Sequence, residues 1–173
     1  MRKAIVAVLA AALMIGTVAA FAACGVNGSP KSVVRASLDA TVSLDFAKMV
    51  DVMYFENAED KDTYKEQLEK EMSESEDGSI SVSGSVTKFE FSSEPVSDEE
   101  LETVKAAYPG IEIEAAEKYT VTYSADIKVT ITLGNVSTDT DASVEDKKAD
   151  GVVYKVAGNW YADIVPDLSQ PAE

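Results

Sequence analysis

KYTVTYSADIKVTITL, residues 118–133, is the stretch whose reading decides the fold. Tyr119, Val121, Tyr123, Ala125, Ile127, Val129, Ile131 and Leu133 stand at odd positions, and Thr120, Thr122, Ser124, Asp126, Lys128, Thr130 and Thr132 fill the even ones. Successive strand side chains point to opposite faces, so the alternation predicts a long antiparallel strand with one packed face and one wet or ligand-facing one. Straight, it would span roughly 50 Å, so a bend or interruption is expected within it.

The flanking sequence extends this sheet. Upstream, Ile80, Val82 and Val86 share one phase while Thr87, Phe89 and Phe91 share the other, which predicts a bulge near Lys88. Downstream, the polar segment GNVSTDTDASVEDKKADG, 134–151, is expected to separate the long strand from VVYKVAGNWYADIV. Within that last run, Gly158-Asn159 predicts a tight hairpin turn.

Helix signals lie before and between these strands. Ser29-Pro30 is a helix start, with Val34, Leu38 and Val42 along one face. Asp45 can cap a second, short helix carrying Phe46, Met49, Val50 and Met53, and Tyr64, Leu68 and Met72 mark a third that shows its charges to water. Ser97 and Glu100 form a capping box, Val96 and Leu101 are spaced as a hydrophobic staple, and Pro109-Gly110 closes the helix they begin. This order predicts an α+β domain over residues 30–166, with N-terminal helices packed on a curved, mainly antiparallel sheet, and a tail at 167–173.

The N-terminus reads as an address. Arg2 and Lys3 precede an uncharged apolar run from Ala4 to Ala23, which is export-signal grammar, although the run is also long enough for an uncleaved transmembrane anchor. Ala22-Ala23-Cys24-Gly25 resembles the lipobox of bacterial lipoproteins, with Phe21 where that family usually has an aliphatic residue. The resemblance implies a signal peptide over 1–23 and a diacylglyceryl group, with its palmitate-type chains, on the sulfur of Cys24. Residues 24–29 become a short flexible tether, and the protein is held at the extracytoplasmic face of the cell membrane. Cys24 is the only cysteine, so it has no partner for an intramolecular disulfide.

Charge and composition narrow the function. The 173 residues carry a formal net charge of −16, which repels nucleic-acid phosphates, so no nucleic-acid partner is expected. Histidine is absent, which removes the commonest acid/base group and metal ligand at neutral pH. Asp139, Asp141 and Asp150 have part of the oxygen spacing of a calcium-binding loop, but Val144 stands where the sharp turn needs glycine. A solvated acidic loop is the simpler account, and no metal or other cofactor is expected.

SPKSVVRASLDATVSLDFAKM and the closing VVYKVAGNWYADI resemble the first helices and last hairpin of nuclear transport factor 2-like domains, in their cystatin-like branch found in bacterial lipoproteins. The resemblance implies a cone-shaped fold whose sheet and helices enclose an apolar interior. Phe89, Phe91, Tyr119, Tyr123 and Trp160 are the candidates to line such a pocket or, equally, to fill it as core. Tyr123 and Asp126 are a tyrosine and an acid of opposite parity, which an uninterrupted strand points to opposite faces. Without a nucleophile motif or phosphate loop, the expectation is no enzyme but a binding or interaction module of the cell envelope. Its partner would be an envelope protein or a small apolar ligand, and the alternative is an enzyme or small-molecule-binding protein using the apolar pocket.

Overall fold

Capping chemistry starts the first helix where the sequence asks for it. In the computed structural model, which describes residues 27–73, 79–133 and 136–165, α1 runs over Pro30–Ser43. The Ser29 hydroxyl accepts from the Ser32 N–H, and the Ser32 hydroxyl accepts from the Ser29 N–H in return. Leu44, in the left-handed region at φ 48°, ends the helix. Asp45 caps α2 (Phe46–Asp51) by accepting from the Lys48 N–H. The expected signal segment 1–23, Cys24 and the expected tail 167–173 lie outside the described residues.

The chain then departs from the expected pattern. Met53 belongs not to the second helix but to a short strand, β1 (Met53–Phe55), which pairs in parallel with β6 (Asp163–Val165) at the far end of the chain. Three residues carry too little periodicity to announce a strand, and its partner is more than a hundred positions away. α3 (Ala58–Ser73) follows, with Tyr64 and Leu68 half-buried as the spacing predicts.

The main sheet has the order β2-β3-β4-β5 and is antiparallel throughout: β2 (Ser79–Pro95), β3 (Ile113–Leu133), β4 (Val136–Val156) and β5 (Asn159–Tyr161). The helix between β2 and β3, α4 (Asp98–Ala107), has the reciprocal Ser97–Glu100 box. The expected polar loop at 134–151 is corrected here, since Val136–Gly151 is continuous strand lying against β3. It reads as loop because an edge strand with a wet face needs few apolar residues, and because its alternation slips where two residues, Glu145 and Asp146, oppose the single Ser124. The hairpin turn also moves back by one residue: Ala157 (φ 49°) and Gly158 (φ 80°) make the turn and Asn159 opens β5.

Bulges shape this sheet, and each is stitched by side chains. Thr87 is the extra residue in β2, where the register jumps between Val86 and Lys88. The Arg35 guanidinium donates to the Val86 carbonyl at 2.8 Å, and Asp39, paired with Arg35, accepts from the Val86 N–H. In β4, Asp146 takes φ 45°; its N–H donates to the Ser124 hydroxyl and its carboxylate pairs with Lys88 at 2.8 Å. At the start of β3 the extra residue is Glu114, whose carboxylate pairs with Lys155 and accepts from the Gly158 N–H, so both contacts hold it below the ordinary carboxylate range. β3 stays in phase from Ala115 to Leu133 because the other two bulges lie in its neighbours.

Two apolar clusters result, one on each face of the sheet. On the first face α1 covers the odd positions of β3: Val33, Val34, Leu38 and Val42 meet Val86, Tyr119, Val121, Ala125, Ala149 and Val153. On the other face, near the start of β3, Ile111, Ile113, Val156 and Ile164 are buried, with Leu101, Val104 and Tyr108 of the α4 region packed on them. Burying a side chain of this size stabilises by about 1.5–3 kcal/mol, so these clusters hold the layers together. The architecture is α+β with helices on a mostly antiparallel four-stranded sheet.

Candidate functional site

The five aromatic residues singled out from sequence fall on one face, against the α1 cluster. Phe89 and Phe91 are adjacent same-face positions of β2, opposite Tyr123 and Val121, because the Thr87 bulge returns them to the packed side. Their rings stack at 6.1 Å between centroids, Phe91 stacks on Tyr119 at 6.2 Å, and the Arg35 guanidinium lies 5.4 Å over Phe89. Tyr119 is 3% exposed and lies across Gly151, where a β-carbon would come within 2.8 Å of its hydroxyl. Burial first, and Asp150 second, push its phenol up to about 12. Tyr123 and Trp160 pack at the margin of the same cluster. The row is joined ring to ring and roofed by α1, so these side chains touch one another where a pocket would need them parted.

Tyr123 and Asp126 do not meet on one face. The register keeps Tyr123 in line with Phe89 and places Asp126 between Ser85 and Ser143 on the other side of the sheet. The acidic candidates separate as well. Asp139 and Asp141 lie opposite Thr130 and Lys128, whereas Asp150 lies opposite Thr120, beyond the Asp146 bulge. A twelve-residue stretch drawn out as strand cannot wrap its oxygens around one ion. Among the described residues no group of three or more candidate ligands could hold a metal.

What lies open is the opposite face. The even positions of β3, with their partners on β2 and β4, make a surface of serine, threonine, aspartate and lysine. Beyond the line where Lys88, Ser124 and Asp146 tie the bulges together, this surface holds a broad depression of about 690 Å³. Ser83 and Ser85 of β2, Asp126 and Lys128 of β3, and Asp141 and Ser143 of β4 line it, with the backbone of Gly84, Ile127 and Ala142 as floor. Lys128 is drawn to Asp139 at 2.6 Å, and Asp139 also accepts from Thr130, which holds that carboxyl below its ordinary range. The lining offers hydroxyl donors and acceptors, carboxylates and one paired ammonium. Such a set suits hydrogen bonding to a polar or cationic surface.

Sequence reasoning missed a third grouping. Tyr154 faces Tyr161 across the β4–β5 ladder, Tyr161 meets Tyr54 edge-on at 5.3 Å, and Tyr154 meets Tyr108 edge-on at 6.0 Å. Tyr108 and Tyr154 share a hydrogen bond, and burial raises both phenols, Tyr154 to about 12. Asp163 lies beside them, raised by its own burial, with its carboxylate accepting from the Ile164 N–H. These residues come from α4, β1, β4, β5 and β6, so no local spacing could have assembled them. No protein-family model, no curated protein and no solved structure matches this chain, so its reading rests on residues and geometry.

Proposed function

We propose that this chain is a lipid-anchored protein of the extracytoplasmic membrane face, with one nuclear transport factor 2-like, cystatin-like domain acting as a non-catalytic binding or interaction module. The observation that carries the binding role is the exposed polar sheet face with its depression, set against an aromatic row whose rings stack on one another. Recognition is therefore assigned to Ser83, Ser85, Asp126, Lys128, Asp141 and Ser143 rather than to an apolar interior. The partner is another envelope component that presents polar or cationic groups, in keeping with a net charge of −16.

The anchor reading rests on Cys24 and its surroundings in the sequence. The Trp160 N–H donates to the Asn27 carbonyl at 3.0 Å, so the chain is held to β5 three residues after Cys24. Three residues reach at most about 11 Å, which would keep the β5 end of the sheet close to the bilayer. The depression lies toward the opposite end of β3 and would be presented away from the membrane.

Intact mass of the membrane-extracted protein tests the anchor. A chain beginning at a diacylglyceryl-modified Cys24 is expected, Cys24→Ala should abolish the modification, and an unmodified chain still beginning at Met1 would sink the reading. For the binding face, a photo-crosslinker placed at Asp126 in native membranes should capture a component that one at Lys31, exposed on α1, does not. Equal capture from the two positions would remove the assignment.

A further inference from the structure

The two long edges of the sheet are built differently. β5 covers only the last three residues of β4, so among the described residues both the outer edge of β4 before Tyr154 and the outer edge of β2 lack a strand partner. An uncovered strand edge is a template for another strand, and proteins blunt such edges with charges and bulges. β4 is blunted in that way: Asp139, Asp141, Glu145, Asp146, Lys147, Lys148 and Asp150 lie along it, and Asp146 bulges at φ 45°. β2 is not blunted over Ser79–Ser85, which reads SISVSGS and contains no charged residue.

One end of this neutral run is closed. At Val86 the outer backbone N–H and carbonyl are already taken by Asp39 and Arg35 of α1. Among the described residues no backbone group outside the β2–β3 ladder bonds to Ser79–Ser85. The free edge is thus a seven-residue segment between the start of the strand and the α1 clamp, with Val82 at its centre.

That segment is complementary to itself. We propose that Ser79–Ser85 pairs antiparallel with the same segment of a second copy, about a two-fold axis at Val82, joining two sheets edge to edge. In this register Val82 faces Val82, Ser81 faces Ser83, Ser79 faces Ser85 and Ile80 faces Gly84. Ser81 meets Ser83 on the open face and Val82 meets Val82 on the other, as an isologous contact requires. Charge selects this edge over the other. A chain with net charge −16 meets the least repulsion where its edge is neutral, and β4 would bring rows of aspartates together. The dimer would also unite the two depressions, since Ser83 and Ser85 line each one.

Cysteine crosslinking of the full chain in detergent reads the register. Val82→Cys should give a disulfide-linked dimer on oxidation, because directly opposed residues fall within disulfide reach. A mixture of Ser81→Cys and Ser83→Cys should crosslink better than either variant alone, with the wild-type chain as the control for Cys24. Sedimentation should show a dimer that Ser83→Lys weakens by about tenfold or more, at unchanged circular dichroism. If Ser83→Lys fails to fold, Ser81→Lys takes its place. A monomer by sedimentation, or crosslinking at Val82 no stronger than at Ser143→Cys on β4, overturns the proposal. The crosslink reads β2 and the mass measurement reads Cys24, so the dimer and the anchor fail separately.

Discussion

The start of β3 and its end have the same alternating pattern but very different surroundings. From Ile113 to Tyr123 the strand meets an apolar cluster on each face, with α1 over Tyr119 and Val121 on one side and α4 with the β1–β6 pair at Ile113 on the other, while Lys118 and Thr120 stay exposed. From Ala125 to Leu133 the even face is bare, and the odd face meets α1 only near its end, where Val42 lies on Gly84. Val121 is fully buried in the first region, whereas in the second Ala125 and Val129 are buried but Ile127 and Ile131 remain half-buried. An alternating strand therefore states which side is apolar but not what covers it. In this molecule the doubly covered half supplies stability and the singly covered half supplies surface.

The sharpest test of this division is to cut the apolar groups in each half. Leu38→Ala, at a position 1% exposed beneath the doubly covered half, should cost about 3 kcal/mol in urea unfolding, and Ile131→Ala only about 1 kcal/mol. Equal losses would erase the distinction. Gly84→Ala probes the boundary, where a β-carbon would sit 2.2 Å from the Val42 carbonyl oxygen. Since backbone must move to admit it, a loss of about 2 kcal/mol is expected. Neutrality of that variant would mean that α1 does not bear on the sheet there.

A smaller effect is expected at the bulge clamp. Arg35→Met removes the bond to the Val86 carbonyl and the cation over Phe89, and should lower stability by about 1 kcal/mol. Hydrogen exchange should quicken at the amides around Val86 and Lys88 and stay unchanged across the Asp146 bulge, whose stitching is separate.

The smallest effects are in pH dependence, and two acids give opposite signs. Lys118, together with the Ser97 N–H, holds Glu100 at about 2. Its folded value lies below its ordinary 4.5, so its contribution is present above that range and is lost as pH falls toward 2. Asp163 is raised by burial, so its contribution is full below its ordinary 3.8 and is lost as pH rises through the raised value. Glu100→Gln should flatten the acid limb of the stability profile, and Asp163→Asn should make the protein relatively more stable at neutral pH. Profiles of both variants parallel to wild type would remove these assignments.

Much of the candidate binding face was legible along β3. Asp126 and Lys128 stand at even positions, and parity alone puts them on the wet side. Their neighbours were not legible. Ser83, Ser85, Asp141 and Ser143 join them only through a register that depends on where Thr87 and Glu145–Asp146 bulge. The Thr87 bulge was foreseeable from the phase slip between Val86 and Phe89, but the β4 bulge was hidden because polar residues occupy both phases there. The tyrosine–aspartate group of Tyr54, Tyr108, Tyr154, Tyr161 and Asp163 was illegible for a further reason, since it is drawn from five separate elements.

By itself the sequence determined what is short-ranged. The Ser29, Asp45 and Ser97 caps each satisfy backbone N–H groups within three residues, and the parity of β3 is a property of the strand alone. Only the tertiary structure decided that the acidic stretch from Val136 to Gly151 is a strand, that Met53–Phe55 pairs with Asp163–Val165, and that the aromatic row is roofed by α1 while the polar face stays open. Those outcomes turn on which backbone groups and apolar faces find each other across tens of residues. Local chemistry permits several such pairings, and packing of the whole chain selects one.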